Sequence, residues 1–311
     1  MRSDTPLLTA LNSFFVSNYD LAPKTKAFYR QNITAFDRFI RESFGREAMI
    51  SDLQKDYAEH YLAKVTTEPT AKYPKGSVFR ARAAAVSLKR LANWFAEIGV
   101  QADRLGNSLL RSVKRTKVPD NVRPALTEEE LDAILTAYRP GTVEYTVIVL
   151  MLGTGLRFNE AREMLVGDVD IGNGLLTVRP VISKSKELRT VDVHDAVLKE
   201  LDRYLRQRDV CKSDQPLFLT DEGKPFSEDG FDKLFRRIRR ESGVSHFHAH
   251  LARHTWATRF KGDILELKRQ GGWKDWKQVE RYRHGQRPAR ENLVNPLDLK
   301  RTLVSFKRAS A

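Results

Sequence analysis

The chain has 311 residues, enough for two domains with a core each, and a formal net charge of +14 from 54 Lys and Arg against 40 Asp and Glu. That field concentrates polyanions, so nucleic acid leads as a partner and an anionic membrane is the rival. No run of about 18 apolar residues and no basic start followed by an apolar signal core is present, which argues against spanning or export and points to a cytoplasmic, nucleoid-associated protein. The single cysteine, Cys211, excludes an intramolecular disulfide and any multi-cysteine zinc site.

In chain order, Leu8, Leu11, Phe14 and Phe15 make a first apolar stripe at helical spacing. After Pro23, Tyr29, Ile33, Phe36, Phe39 and Ile40 make a second. A third segment follows Ser51, and a fourth runs from Ser77 to Ile98 with Val78, Leu88, Leu91, Trp94 and Phe95 inside and Gly99 as its stop. Residues 1–110 thus read as a helical domain of four or five helices whose aromatic stripes are core. Its outward charges, Lys24, Lys26, Arg30, Arg80, Arg82, Lys89 and Arg90, are either solvated or set on phosphates.

From 111 to 124 the periodicity breaks. Arg111, Lys114, Arg115, Lys117 and Arg123 accompany Pro119 and Pro124 as an extended basic linker. The next domain, 125–287, opens on a capping box, Thr127 with Glu130, ahead of Leu131, Ile134 and Leu135. A buried helix spans Val143 to Leu152 and ends at Gly153 and Gly155. Gly174 to Ile182 and Leu188 to Val193 read as a β-hairpin with a basic tip at Ser183, Lys184, Ser185 and Lys186. Phe231, Leu234, Phe235 and Ile238 form a further stripe, with Lys233, Arg236, Arg237, Arg239 and Arg240 opposite. The tail, 288–311, carries Leu293, Val294, Leu303, Val304 and Phe306 and packs either on its own domain or on a neighbouring protomer.

Three segments carry chemistry. In Thr154-Gly155-Leu156-Arg157-Phe158-Asn159-Glu160 a glycine turn sets an arginine at a helix start, where the dipole favours an anion. In His250-Leu251-Ala252-Arg253-His254-Thr255 a histidine and an arginine three apart share one helix face and can meet one phosphate. Gly272-Trp273 precedes Tyr282 by nine residues. In this order and spacing they resemble the tyrosine recombinases, the phage integrase family, whose T-G-L-R-x-x-E motif is matched by Arg157 and Glu160. The family's H-x-x-R is matched by His250 and Arg253, its His or Trp nine residues before the nucleophile by Trp273, and the nucleophile by Tyr282. Its hairpin lysine falls on Lys184, with Lys186 second. The chain departs from the pattern at Ala252, where the family usually has leucine, and from Thr258 to Gly262, which is about two residues short.

The resemblance implies a mostly α protein with a small β-hairpin or sheet in an α+β catalytic domain, the two domains forming a C-shaped clamp on double-stranded DNA. It implies cleavage and rejoining through a 3′-phosphotyrosine, with strand exchange by a DNA-dependent tetramer, and it leaves room for accessory DNA-bending proteins. Arg157 and Arg253 would neutralise the non-bridging oxygens. Lys184 would protonate the leaving 5′ oxygen, His250 would take the tyrosine proton, and Trp273 would donate its indole N–H to a phosphate oxygen. Glu160 and His254 would support them, while Lys24, Lys26, Arg80, Arg82, Lys89, Arg115 and Lys186 would contact the DNA backbone. The scheme requires no metal and no cofactor.

Four other readings stand beside it. His246-Phe247-His248 with Tyr282 has the look of a metal-dependent tyrosine nuclease of the relaxase kind, though that leaves Arg157, Lys184 and Arg253 without a task. His250 and His254, four apart, are spaced as a zinc pair without an evident third ligand. A type IB topoisomerase uses much the same residues without synapsis, and a non-catalytic DNA-binding regulator could share the fold.

Overall fold

The computed structural model describes residues 1–114, 116–118, 124–208, 212–280 and 282. Arg115, Cys211 and the 288–311 tail lie outside the described residues. The chain divides into two compact units, Met1–Val122 and Arg123–Ala311.

The first unit holds α1 (Leu7–Ser17), α2 (Pro23–Phe44), α3 (Lys55–Thr67) and α4 (Val78–Glu97). Local chemistry sets their ends. Pro23 occupies the first turn of α2, where its missing N–H costs nothing, and Gly45 closes that helix at φ 68°. Ser77 caps α4 by accepting the Arg80 N–H at 3.3 Å. The expected stripes turn inward: Leu11, Phe14, Ile33, Phe36, Ile40, Leu88, Leu91 and Phe95 are all buried in one core. Each large apolar side chain so buried contributes on the order of 2 kcal/mol. Leu110 and Val113 belong to the same core, which fastens the start of the expected 111–124 linker to the helices.

The second unit is mainly helical around one small sheet. The capping box closes as read, with Glu130 N–H on Thr127 Oγ1 at 3.2 Å and Thr127 N–H on Glu130 Oε2 at 2.9 Å, and starts α5 (Glu128–Thr136). Next comes α6 (Val143–Thr154), which runs through Gly153 and stops only at Gly155, in the left-handed region at φ 62°. The missing side chain of Gly153 leaves room for Val197, whose Cγ2 lies 2.4 Å from where a Cβ would be. After α7 (Phe158–Arg162), strands β1 (Val169–Asp170), β2 (Leu175–Val178) and β3 (Arg189–Asp192) form an antiparallel sheet in the order β1-β2-β3.

The sheet corrects the hairpin expected over Gly174–Ile182 and Leu188–Val193 in two ways. It has a third strand, β1, paired Val169 to Leu176, and its main ladder ends at the Val178–Arg189 pair. Pro180 has no N–H to continue the ladder. Instead the Ile182 and Ser183 N–H groups turn back onto the Arg179 carbonyl at 3.2 and 3.0 Å. The basic tip is therefore a ten-residue loop, 179–188, rather than a tight turn.

Helices α8 (Asp195–Arg206), α9 (Glu228–Ser242), α10 (Ala249–Arg259), α11 (Ile264–Gly271) and α12 (Trp276–Glu280) complete the unit. The α9 stripe, Phe231, Leu234, Phe235 and Ile238, is buried in the main core with Met151, Phe218 and Phe247. A separate small cluster, Trp256, Leu267, Trp273 and Val279, carries Tyr282 at its edge. Among the described residues no helix is long and apolar enough to cross a membrane.

Candidate active site

Backbone oxygens freed by glycine turns hold the arginines. At Gly155 the end of α6 turns, and its carbonyl accepts from Arg253 Nη1 at 2.6 Å; Arg253 Nη2 reaches the Gly271 carbonyl at the end of α11 at 2.7 Å. Arg157, at the cap of α7, donates from Nη2 to the Gly272 carbonyl at 2.8 Å. The three motifs, read separately in the sequence, are thus knitted to one another through main-chain acceptors. Side chains at these turns have no room: a Cβ on Gly155 would lie 2.0 Å from Trp256, and one on Gly271 would lie 2.0 Å from Trp273.

Glu160 lies beneath. Its Oε1 accepts from Arg157 Nη1 at 2.7 Å and Arg189 Nη1 at 3.0 Å, and its Oε2 accepts from the Arg157 N–H at 2.8 Å and Arg189 Nη2 at 2.6 Å. Burial favours the neutral acid, but the hydrogen bonds and charge of Arg189, then the charge of Arg157, outweigh it and hold the carboxyl at about 2. Arg189 donates its remaining Nε–H to the Gln270 carbonyl at 3.0 Å.

Arg253 is 3% exposed. Burial first, and then repulsion from Arg157 and Arg189, push its guanidinium down to about 9, against the pull of Glu160. It keeps its proton at neutral pH, so the site holds a positive charge at a cost that an arriving anion would relieve. The Trp273 ring lies over it, 4.1 Å from ring centroid to guanidinium carbon, and stacks on Trp256 at 6.1 Å.

A pocket of about 510 Å³ opens on this cluster, lined by Arg157, Lys184, His250, Arg253, Trp273 and Lys274 among others. Lys184, exposed on the 179–188 loop, lines it; Lys186, at φ 56°, does not. The loop meets the Trp273 segment through an ion pair of Glu187 with Lys274 at 3.0 Å. Tyr282 follows α12, its N–H on the Val279 carbonyl at 2.9 Å. It is not among the pocket-lining side chains. Its ring packs on Trp273 at 5.4 Å and on His254 at 5.2 Å. The fold therefore gathers five of the six expected catalytic residues around one pocket and sets the sixth against Trp273. Ala252 and Leu251 are both buried in α10, and the short stretch from Thr258 to Gly262 begins in its last turn and runs past its end at Arg259.

Other expectations fare differently. His246 Nε2 meets Glu130 Oε1 at 3.2 Å, and His248 Nδ1 caps α10 by accepting the Leu251 N–H at 2.8 Å, so the two histidines of the metal reading serve separate structural ends. On α2, Lys24 is exposed and Lys26 donates to the Tyr19 carbonyl at 3.1 Å. On α4, Arg80 lies over Tyr73 at 5.8 Å, Arg82 is exposed, and Lys89 reaches the Arg111 carbonyl at 3.4 Å. All of these belong to the first unit; Arg115 lies outside the described residues. Nothing in the sequence singles out Arg189, because one more arginine after a basic loop looks like solvated charge. Its place opposite the acid three residues after Arg157 becomes visible only when β3 is laid beside α7.

Residues 124–287 match the model of the phage integrase family. The chain is 27% identical over 248 residues to a tyrosine recombinase XerA of Pyrococcus furiosus, covering 78% of this chain and 77% of that protein. It is 25% identical over 257 residues to a tyrosine recombinase XerD of Neisseria meningitidis serogroup B, covering 80% and 81%. Among solved structures, the fold is similar to that of a lambda integrase(75-356) dimer bound to a COC' core site, with a TM-score of 0.70 at 18% identity over 94% of this chain and 100% of that one. It is also similar to the Tn1549 transposon integrase in complex with transposon right end DNA, with a TM-score of 0.69 at 17% identity over 99% and 100%. With more than half of its 311 residues inside the family model, the chain belongs to the phage integrase family, the tyrosine recombinases.

Proposed function

We propose that this recombinase cuts duplex DNA at a specific site by attack of Tyr282 on the scissile phosphate, and reseals it after strand exchange. The observation that carries this reading is the pocket on which Arg157, Arg253, Lys184 and His250 converge, with Tyr282 packed on its Trp273 wall. Among the described residues, Arg157 and Arg253 each have two side-chain N–H groups engaged by the protein, so that others of a guanidinium's five can turn to phosphate oxygens. As the Tyr282 oxygen bonds to phosphorus, the P–O5′ bond breaks. The phenolic proton passes to His250, and Lys184 donates a proton to the departing 5′ oxygen. Making the phenolate at neutral pH costs about 4 kcal/mol in water, a barrier that the surrounding cations lower. The product is a 3′-phosphotyrosine, which keeps the bond energy for attack by a 5′ hydroxyl from another strand. His254, against the Tyr282 ring, orients the nucleophile.

The helical first unit, with Lys24, Lys26, Arg80, Arg82 and Lys89, takes up further backbone contacts, to which Arg115 and Lys186 add. Strand exchange calls for four protomers on two duplexes, a DNA-dependent tetramer to which accessory DNA-bending proteins can add. The protein would act at the nucleoid. Trapping tests the reading. On a nicked duplex carrying the target site, the parent forms a denaturation-resistant adduct linked 3′ to tyrosine, in the presence of excess EDTA, whereas Tyr282→Phe binds the duplex and forms none. An adduct from the Phe variant, a 5′ linkage or loss of cleavage in EDTA would refute the mechanism, and binding with no adduct from the parent would favour a non-catalytic regulator.

A further inference from the structure

We propose that Arg189 is a positioning residue for Arg157, acting through the Glu160 carboxylate. The inference rests on the assignment of Arg157 to the scissile phosphate. Arg189 makes two hydrogen bonds to Glu160, at 3.0 and 2.6 Å, and a third to the Gln270 carbonyl, which engages the guanidinium on both edges. Its side chain is 8% exposed and it does not line the 510 Å³ pocket, so it is not placed to touch DNA phosphate there. Glu160, 1% exposed, passes the constraint on: each of its oxygens accepts one bond from Arg189 and one from Arg157.

The Arg157 guanidinium is thereby fixed at two points. One is the carboxylate, and the other is the Gly272 carbonyl, which follows directly on the Gln270-Gly271 segment that Arg189 and Arg253 also hold. A buried carboxylate facing Arg157 alone would be free to swing, because among the described residues its only hydrogen-bond partner besides Arg189 is Arg157, which belongs to the cap of its own helix. Arg189 is the strut from β3 that stops this. A displacement of about 1 Å in such a group costs on the order of 10²-fold in rate. Lysine can replace it only in part, since an ammonium offers a point charge and not a planar fork that matches both carboxylate oxygens.

Single-turnover cleavage on two nicked substrates tests the inference, one with the ordinary phosphodiester and one with a methylphosphonate at the scissile position. The methylphosphonate has lost the negative charge that Arg157 serves. On the phosphodiester, Arg189→Gln should be slowed by about tenfold to a hundredfold and Arg189→Lys by less, with duplex affinity within about threefold of the parent. On the methylphosphonate, both variants should come within about threefold of the parent, and so should Arg157→Ala. A merely structural defect slows both substrates alike, and that result would overturn the inference. So would a parental rate in Arg189→Gln while Arg157→Ala is crippled. A parental rate in Arg157→Ala itself would remove the mechanism and this inference together. If Arg189→Gln does not fold, Arg189→Lys carries the same comparison, and equal loss on both substrates there overturns the inference.

Discussion

Glu160→Gln changes no shape and removes one charge from the most crowded point of the site. In the folded protein the carboxyl is held at about 2, against an ordinary 4.5, because Arg189 and Arg157 outweigh a burial that favours the acid. Holding the carboxyl that far below its ordinary value corresponds to about 3 kcal/mol of stability. The contribution is fully present above pH 4.5, where the unfolded carboxyl is ionised, and is lost as pH falls toward 2. Breaking a buried ion pair by neutralising one partner costs about 3–5 kcal/mol, which is of the same order. For a unit of this length the melting temperature should fall by roughly 10 °C at pH 7. Thermal unfolding followed by circular dichroism at pH 7 and at steps down to pH 3 measures it. The parent should lose its margin over the variant across that acid range, so the two curves approach each other. A variant that melts within about 2 °C of the parent at pH 7, or a gap that widens in acid, would refute the account of Glu160 as the counter-charge of the cluster.

Lys184→Ala should slow cleavage by roughly 10² to 10⁴ on a phosphodiester and regain most of the rate when the bridging 5′ oxygen is sulfur, because a thiol leaves unprotonated. Lys186→Ala should be mild on both, and rescue of Lys186→Ala in place of Lys184→Ala would exchange their roles. Gly271→Ala puts a methyl 2.0 Å from the Trp273 ring that covers Arg253, so it should cost about 1–3 kcal/mol in unfolding experiments. It should also lower adduct formation by about 10² or more, and a variant with parental adduct yield would show that the Trp273 wall tolerates displacement.

Motif spacing together with the family resemblance marks the candidate catalytic residues, because Arg157, the His250–Arg253 pair and Trp273 each sit at a helix boundary or on a helix face that sequence periodicity makes visible. The same holds for Thr127 and Glu130, whose reciprocal bonds depend on a spacing of three and on nothing distant. The hairpin was overextended because β-branched runs continue past Pro180, while the ladder needs a donor that proline lacks. β1 is two residues long and gives no periodic signal. Arg189 was out of reach for another reason: its meaning lies in a contact across 29 residues with an acid on a different element. Likewise the glycine carbonyls that hold Arg157 and Arg253 leave no mark in side-chain patterns.

Those carbonyls have a consequence for which transition the site suits. A carboxylate aims an arginine and cancels it, whereas a peptide oxygen aims it and leaves its full charge standing. Arg157, Arg189 and Arg253 are three guanidiniums around the single carboxylate of Glu160, a surplus of two positive charges before Lys184 and His250 are counted. A phosphodiester at rest brings one negative charge. The trigonal-bipyramidal phosphorus formed as the phenolate oxygen arrives carries close to two. In the proposed mechanism main-chain anchoring thus leaves the pocket with more positive charge than its resting ligand neutralises, and the second negative charge of the fleeting one would be better met there, a difference in fit that would lower the barrier.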